Sequence, residues 1–178
     1  MKIIEDLKKL KVIEKRMASN ALDITKYASI LSNERPLFET EDEQRKQVAQ
    51  LIQANKDLLQ ESLKIKRQIE ITNLFTQVEM GGVMYSISDL LAIKRSLAKR
   101  MLDTYDALNT KGTESRARNI PQSGDAKVQV VRLFDEKAKN DGRRSWQDLV
   151  DNIDSRLEVI NATTDVIDYY IGPMPTAS

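Results

Sequence analysis

The sequence predicts a mainly α fold: a long antiparallel helical hairpin of coiled-coil type, two further helices, and a small β-hairpin or three-stranded sheet, all in a single domain over residues 1–178. Three observations carry this. Apolar residues recur at alternating steps of four and three through long segments, the spacing that lines one seam of a helix. Gly81-Gly82 lies between two short apolar-polar runs within Leu74 to Ile87, and paired glycines supply the positive φ angles of a tight hairpin turn. Charged residues make up 31% of the chain and aromatics 5%, which suits long amphipathic helices better than a broad globular core.

Each element follows from local chemistry. Ile3, Leu7, Leu10, Glu14, Met17, Ala21, Ile24, Ala28 and Leu31 form a heptad seam interrupted only by Glu14, giving a first helix about 45 Å long. The segment from Ser32 to Pro36 stops it, because proline disfavours helix at the preceding residue and has no N–H to donate. Thr40 followed three residues later by Glu43 is a capping-box signature and starts the second helix near Glu41. Its seam is Val48, Leu51, Asn55, Leu58, Ser62, Ile65, Ile69, Thr72 and Thr76, widened by Ile52, Leu59 and Leu63. A short loop between two such helices makes residues 1–76 an antiparallel hairpin.

Residues 77–87 read as the β-hairpin, and Ser86 and Ser88 compete to cap a third helix over residues 88–111. That helix has a broad apolar face that includes Ile87, Leu90, Leu91, Leu97, Ala98, Met101 and Tyr105, and Gly112 is expected to end it. Residues 112–144 read as loop and strand: the polar run TESRARNIPQSGD is an exposed loop, and the β-branched KVQVVRLF, residues 127–134, adds a strand to the hairpin. Asp141-Gly142 is expected to turn the chain, and Ser145 with Asp148 to cap a last helix over residues 145–171. Its seam runs Trp146, Val150, Ile153, Leu157, Ile160, Thr164, Ile167 and Ile171, and residues 172–178 form a tail.

The chain has no cysteine and no histidine, which removes disulfides, thiolate chemistry, the commonest general base and the commonest transition-metal ligand. No nucleophile elbow or phosphate loop is present, so no catalytic residue, cofactor or metal is assigned and an enzyme is not expected. Asp151, Asp154 and Glu158 share a helical face, but a solvated face explains them better than a cation site. No apolar run is long enough to span a membrane, and a net charge of +1 argues against wholesale attraction to nucleic acid. The expected location is the cytoplasm, or a virus particle assembled there.

Two seams end on the same pattern, Asn-x-x-Thr-x-Val, at Asn73, Thr76 and Val78 and again at Asn161, Thr164 and Val166. Polar side chains on a heptad seam destabilise it unless each finds a partner, and buried asparagine is tolerated in coiled coils where it sets register. Asn55, Thr72, Asn73, Thr76, Asn161 and Thr164 are therefore assigned to packing and register, with helix-end capping by Asn73 as the competing reading. Lys94, Arg95, Lys99 and Arg100 on the third helix, with Arg116 and Arg118 in the loop, are the candidate phosphate contacts.

The order of elements resembles the septicolysin-like family of small, mostly helical bacterial and phage proteins of unassigned activity. The residues that carry the resemblance are Ile69-x-x-Thr72-Asn73-x-x-Thr76, the glycine turn, Ser88-Asp89-Leu90-Leu91-Ala92-x-Lys94-Arg95, and Asn161-x-Thr163-Thr164. A longer loop around Arg116 to Asp125 departs from the family. The family name implies a pore-forming protein.

Helical seams this wide with so few aromatics imply self-association. The expected function is that of a non-enzymatic, homo-oligomeric structural or assembly protein, such as a phage or prophage particle component, with other assembly proteins as further candidate partners. The alternatives are a nucleic-acid-associated accessory protein, using the basic third helix and Arg-bearing loop, and the pore-former.

Overall fold

A computed structural model describes residues 1–120 and 128–168 of the chain; the expected tail, Ile171, Lys127, and the loop residues from Pro121 to Asp125 lie outside the described residues. The fold is mainly α with one small antiparallel sheet. The chain divides into two compact units, residues 1–76 with 159–178, and residues 77–158.

In the first unit, α1 (Ile3–Tyr27) and α2 (Glu41–Phe75) form the expected hairpin. The α2 seam lies where the four-three pattern puts it: Ser62, Ile65, Ile69 and Thr72 are buried and Val48, Leu51, Asn55 and Leu58 half-buried. On α1 the phase differs from expectation. The inward residues are Ile3, Asp6, Leu10, Ile13, Met17, Asn20, Ile24 and Tyr27, while Leu7, Glu14, Ala21, Ala28 and Leu31 are exposed. The observed seam steps three then four, and it accepts polar Asp6 and Asn20 in order to bury Ile13 and half-bury Tyr27.

The first helix also ends early, at Tyr27 rather than near Ser32, and a side chain explains why. In a continuing helix the Tyr27 carbonyl would accept from the Leu31 N–H. Instead the buried Gln44 Nε2 donates to it at 2.8 Å, and the Gln44 Oε1 accepts from the Leu37 N–H at 2.9 Å. The Leu31 N–H donates to Glu34 Oε2, and the Tyr27 and Phe38 rings meet edge to face at 5.1 Å. At the start of α2, Thr40 accepts from the Glu43 N–H at 3.1 Å, as the capping signature requires.

The second unit opens with β1 (Gln77–Met80) and β2 (Val83–Ser86), paired antiparallel through Met80↔Val83, with Gly81 and Gly82 at φ +61° and +80° closing the turn. Of the two competing caps, Ser86 is the one used. It accepts from the Asp89 N–H, the Asp89 carboxylate accepts from the Ser86 N–H and hydroxyl, and these bonds hold the Asp89 carboxyl below its usual range. The helix that follows is α3 (Ile87–Ala92), a π-turn (Ile93–Leu97) and α4 (Ala98–Asp106) without a break. The π-turn adds one residue to the register, so Ile93 and Ala98 are both buried while Leu97, expected on the apolar face, is 45% exposed.

The third helix ends at Asp106, before the expected Gly112. Asn109 Nδ2 donates to the carbonyls of Asp106 and Ala107, satisfying acceptors that a further turn would have used. Gly112 instead lies inside a short helix, α5 (Lys111–Arg118), so part of the expected polar loop is helical. Thr110 and Glu114 stabilise it through a side-chain hydrogen bond.

No strand forms over residues 128–134; among the described residues the sheet has two strands. β-branched composition supplies a preference, but a strand also needs a ladder partner and a face to bury, and Val128, Val131 and Leu133 are all exposed.

The last helix, α6 (Glu136–Thr163), begins well before Ser145 because Asp135 Oδ1 caps it by accepting from the Lys137 N–H at 2.8 Å. Gly142, expected as a turn, is helical. A Cβ there would stand 2.5 Å from the tip of the Tyr105 ring of α4, so glycine is what leaves room for that ring against α6. The helix stops at Thr163 rather than at residue 171. Backbone bonds from the Ile3 N–H to the Thr164 carbonyl (3.1 Å) and from the Val166 N–H to the Met1 carbonyl (2.8 Å) draw the chain into an extended bridge.

Candidate functional site

Five arrangements are candidates for function, three in the first unit and two in the second. In the first unit, Asn20 Nδ2 donates to Asn55 Oδ1 at 2.9 Å, and Asn55 Nδ2 reaches the Met17 carbonyl at 3.3 Å. These bonds form a polar rung between α1 and α2 inside an otherwise apolar seam. The observed phase of α1 is what turns Asn20 inward, and the run Ile3, Leu10, Ile13, Met17, Ile24 is the signal for that phase in the sequence. Replacing either asparagine alone by leucine strands the other's amide, with an expected loss of about 1 kcal/mol, whereas replacing both should recover most of it. Thermal melts of Asn20→Leu, Asn55→Leu and the double variant check this.

The rung sits in a part of the hairpin that is poorly covered. From Met17 to Tyr27 on α1, and between Gln44 and Ser62 on α2, no side chain is fully buried. Ile52 and Leu59, one heptad apart on α2, are 44% and 48% exposed. At the other end of the hairpin Ile3, Leu10, Ile13, Ile65 and Ile69 are buried, and residues 164–168 are hydrogen-bonded there to Met1, Ile3, Gln68 and Thr72.

The Asn-x-x-Thr repeats both belong to this first unit, yet the bond that joins their surroundings is made by Thr72. Its hydroxyl donates to the Gln68 carbonyl at 2.7 Å and accepts from the Ile167 N–H at 2.9 Å, fully buried. Thr76 closes α2 through its N–H to the Thr72 carbonyl, and the Thr164 backbone holds α1 by accepting from Ile3. Asn73 is helical rather than a cap; its side-chain oxygen is buried and accepts no hydrogen bond from the described residues, and Asn161 is half-buried in α6. Among the described residues, no hydrogen bond links Asn73 to Asn161.

A cavity of about 370 Å³ in the same unit is lined by Asp6, Lys9, Glu61, Lys64, Ile65 and Gln68 among others. Asp6 is fully buried, and neither carboxylate oxygen accepts a hydrogen bond from the described residues. Burial raises its pKa above the ordinary 3.8, with Lys9 and the chain's amino group offsetting part of the effect. Nothing in the sequence sets this residue apart, since a lone aspartate in the first turn of a helix is an ordinary dipole partner.

In the second unit, the candidate phosphate contacts are partly committed elsewhere. Lys94 in the π-turn pairs with Asp154 of α6, and Lys99 pairs with Asp103 at 2.7 Å. Arg116 donates to Thr113 Oγ1 at 3.3 Å, and Arg95, Arg100 and Arg118 are exposed. The Lys94 pair crosses the acidic face that holds Asp151, Asp154 and Glu158. Among the described residues, no group of three or more carboxylates is placed to hold a metal ion. The last candidate is the hairpin itself, whose apolar face carries Val78, Met80, Val83 and Tyr85 and whose outer strand edge is not covered by a third strand among the described residues.

Among the described residues, no helix is long and apolar enough to cross a membrane. Compared with known family models, curated proteins and solved structures, the chain finds no match.

Proposed function

We propose that this chain is a non-enzymatic structural or assembly protein that works as a homo-oligomer through its long helical hairpin. One observation supports this above the others: the half of the α1 and α2 hairpin bearing the Asn20 and Asn55 rung leaves its seam half-open, with Ile52 and Leu59 exposed beside it. Two helices cannot cover a seam from every side, and a second hairpin laid against it would bury that surface. A polar rung in such a seam favours one alignment of helices over its slipped alternatives.

The test is the mass of the protein in solution. A defined multimer that weakens on Ile52→Glu with Leu59→Glu supports the reading, and a wild-type monomer at high concentration ends it. The resemblance to the septicolysin-like family suggests pore formation instead, which leakage from liposomes would favour. Salt-dependent binding to DNA or RNA would favour a nucleic-acid role for the basic helix.

A further inference from the structure

We propose that residues 128–134 of one copy add as a third strand to the open edge of the β-hairpin in a second copy. The inference rests on the reading that the chain self-associates, and it names a contact that the helical seam does not supply.

The segment has the chemistry of a strand and lacks a partner for it. Its alternation places Val128, Val130, Arg132 and Phe134 on one side and Gln129, Val131 and Leu133 on the other. Val131 is 72% exposed and Leu133 93% exposed, and among the described residues the segment makes no backbone hydrogen bond to any other part of the chain. Arg132 is held by an exposed pair with Glu136 at 3.3 Å, a contact of the weak, solvent-screened kind, and by its own neighbour Phe134, whose ring centroid lies 5.6 Å from the guanidinium.

The hairpin offers the complement. In a two-residue hairpin closing on Met80↔Val83, that pair and Val78↔Tyr85 exchange the ladder hydrogen bonds. The N–H and C=O groups of Gln77 and Glu79 then point outward along β1. The edge of β2 is less open, because the Ser86 N–H is already bonded to Asp89. Setting Arg132 opposite the exposed Glu79 pairs opposite charges across the strands. In that register, whether parallel or antiparallel, Val131 and Leu133 flank Arg132 and fall on the same face as Val78 and Met80. A two-stranded hairpin is marginal by itself, and a third strand that extends its apolar face is the usual remedy. Each copy carries both strand and edge, so the exchange can be reciprocal about a two-fold axis.

The absence of cysteine makes the test direct. Protein carrying Val78→Cys is mixed with protein carrying Val131→Cys or Leu133→Cys, oxidised, and the linked species weighed; Val78→Cys mixed with Lys8→Cys is the control. The proposal expects a link between different chains several-fold above the control. It also expects the link to weaken several-fold with Glu79→Lys on the first chain and to return when Arg132→Glu is placed on the second. Absence of an excess link in a protein whose wild-type mass is multimeric overturns the strand exchange and leaves the oligomer intact. A monomeric wild type overturns both. A doubly substituted chain that links only within itself overturns the exchange in favour of pairing with its own hairpin.

Discussion

Replacing Asp6 with asparagine is expected to stabilise the protein at neutral pH, by about 1–2 kcal/mol, or roughly 2–8 °C in melting temperature for a chain of this size. The side chain is fully buried on the α1 seam, its oxygens accept no hydrogen bond from the described residues, and burial raises its pKa above 3.8. An ionised carboxylate therefore costs more in the folded protein than in the unfolded chain. Lys9 offsets part of that cost, which keeps the expected gain at the lower end for a buried charge. The sign of the pH dependence follows from proton counting. Between the ordinary pKa and the raised one, the native state binds more protons than the unfolded state, so this residue's contribution falls as pH rises through that window. Above the raised pKa the full penalty is present. Below about 3.8 the carboxyl is neutral in both states and the advantage of asparagine should vanish. Melts of both proteins across acid and neutral pH check the prediction, and an unchanged difference at every pH would contradict the assignment to charge burial. Asp6, Lys9, Glu61 and Lys64 all line the same cavity, so Lys9→Ala should widen the gap by removing the partial compensation.

Gly142→Ala should destabilise, against the direction that helix propensity gives. In an exposed helix interior the change from glycine to alanine gains about 1 kcal/mol. Here the new methyl would stand 2.5 Å from the Tyr105 ring, a separation that forces the ring or α6 to move, and overpacking of this kind costs about 1–3 kcal/mol. The expected net result is a loss of about 1–2 kcal/mol, roughly 2–8 °C in melting temperature. A double-mutant cycle isolates the cause. In a Tyr105→Ala background the obstacle is gone, and the same Gly142→Ala change should become stabilising by about 1 kcal/mol. Equal effects in both backgrounds would show that room for the Tyr105 ring is not what the glycine serves.

The sequence by itself determined the helical class, the hairpin of α1 and α2, the phase of the α2 seam, the Gly81-Gly82 turn and the cap at Thr40, because each depends on side-chain period or backbone chemistry within a few residues. Tertiary structure decided what those local signals leave open. The seam of α1 has two readable phases, and packing against α2 chose the one that buries Ile13 at the expense of accepting Asp6 and Asn20. Gly142 carries the local signature of a turn, yet it lies inside α6, and the Tyr105 ring occupies the space a side chain there would fill. The helix ends at Tyr27 and Thr163 came from Gln44 and the strand-like bridge to Lys2, partners brought there by folding rather than by helix propensity, whereas the end at Asp106 is made locally by Asn109. Residues 128–134 have the composition of a strand and no ladder to join within the described chain, since pairing is a property of two segments and composition belongs to one.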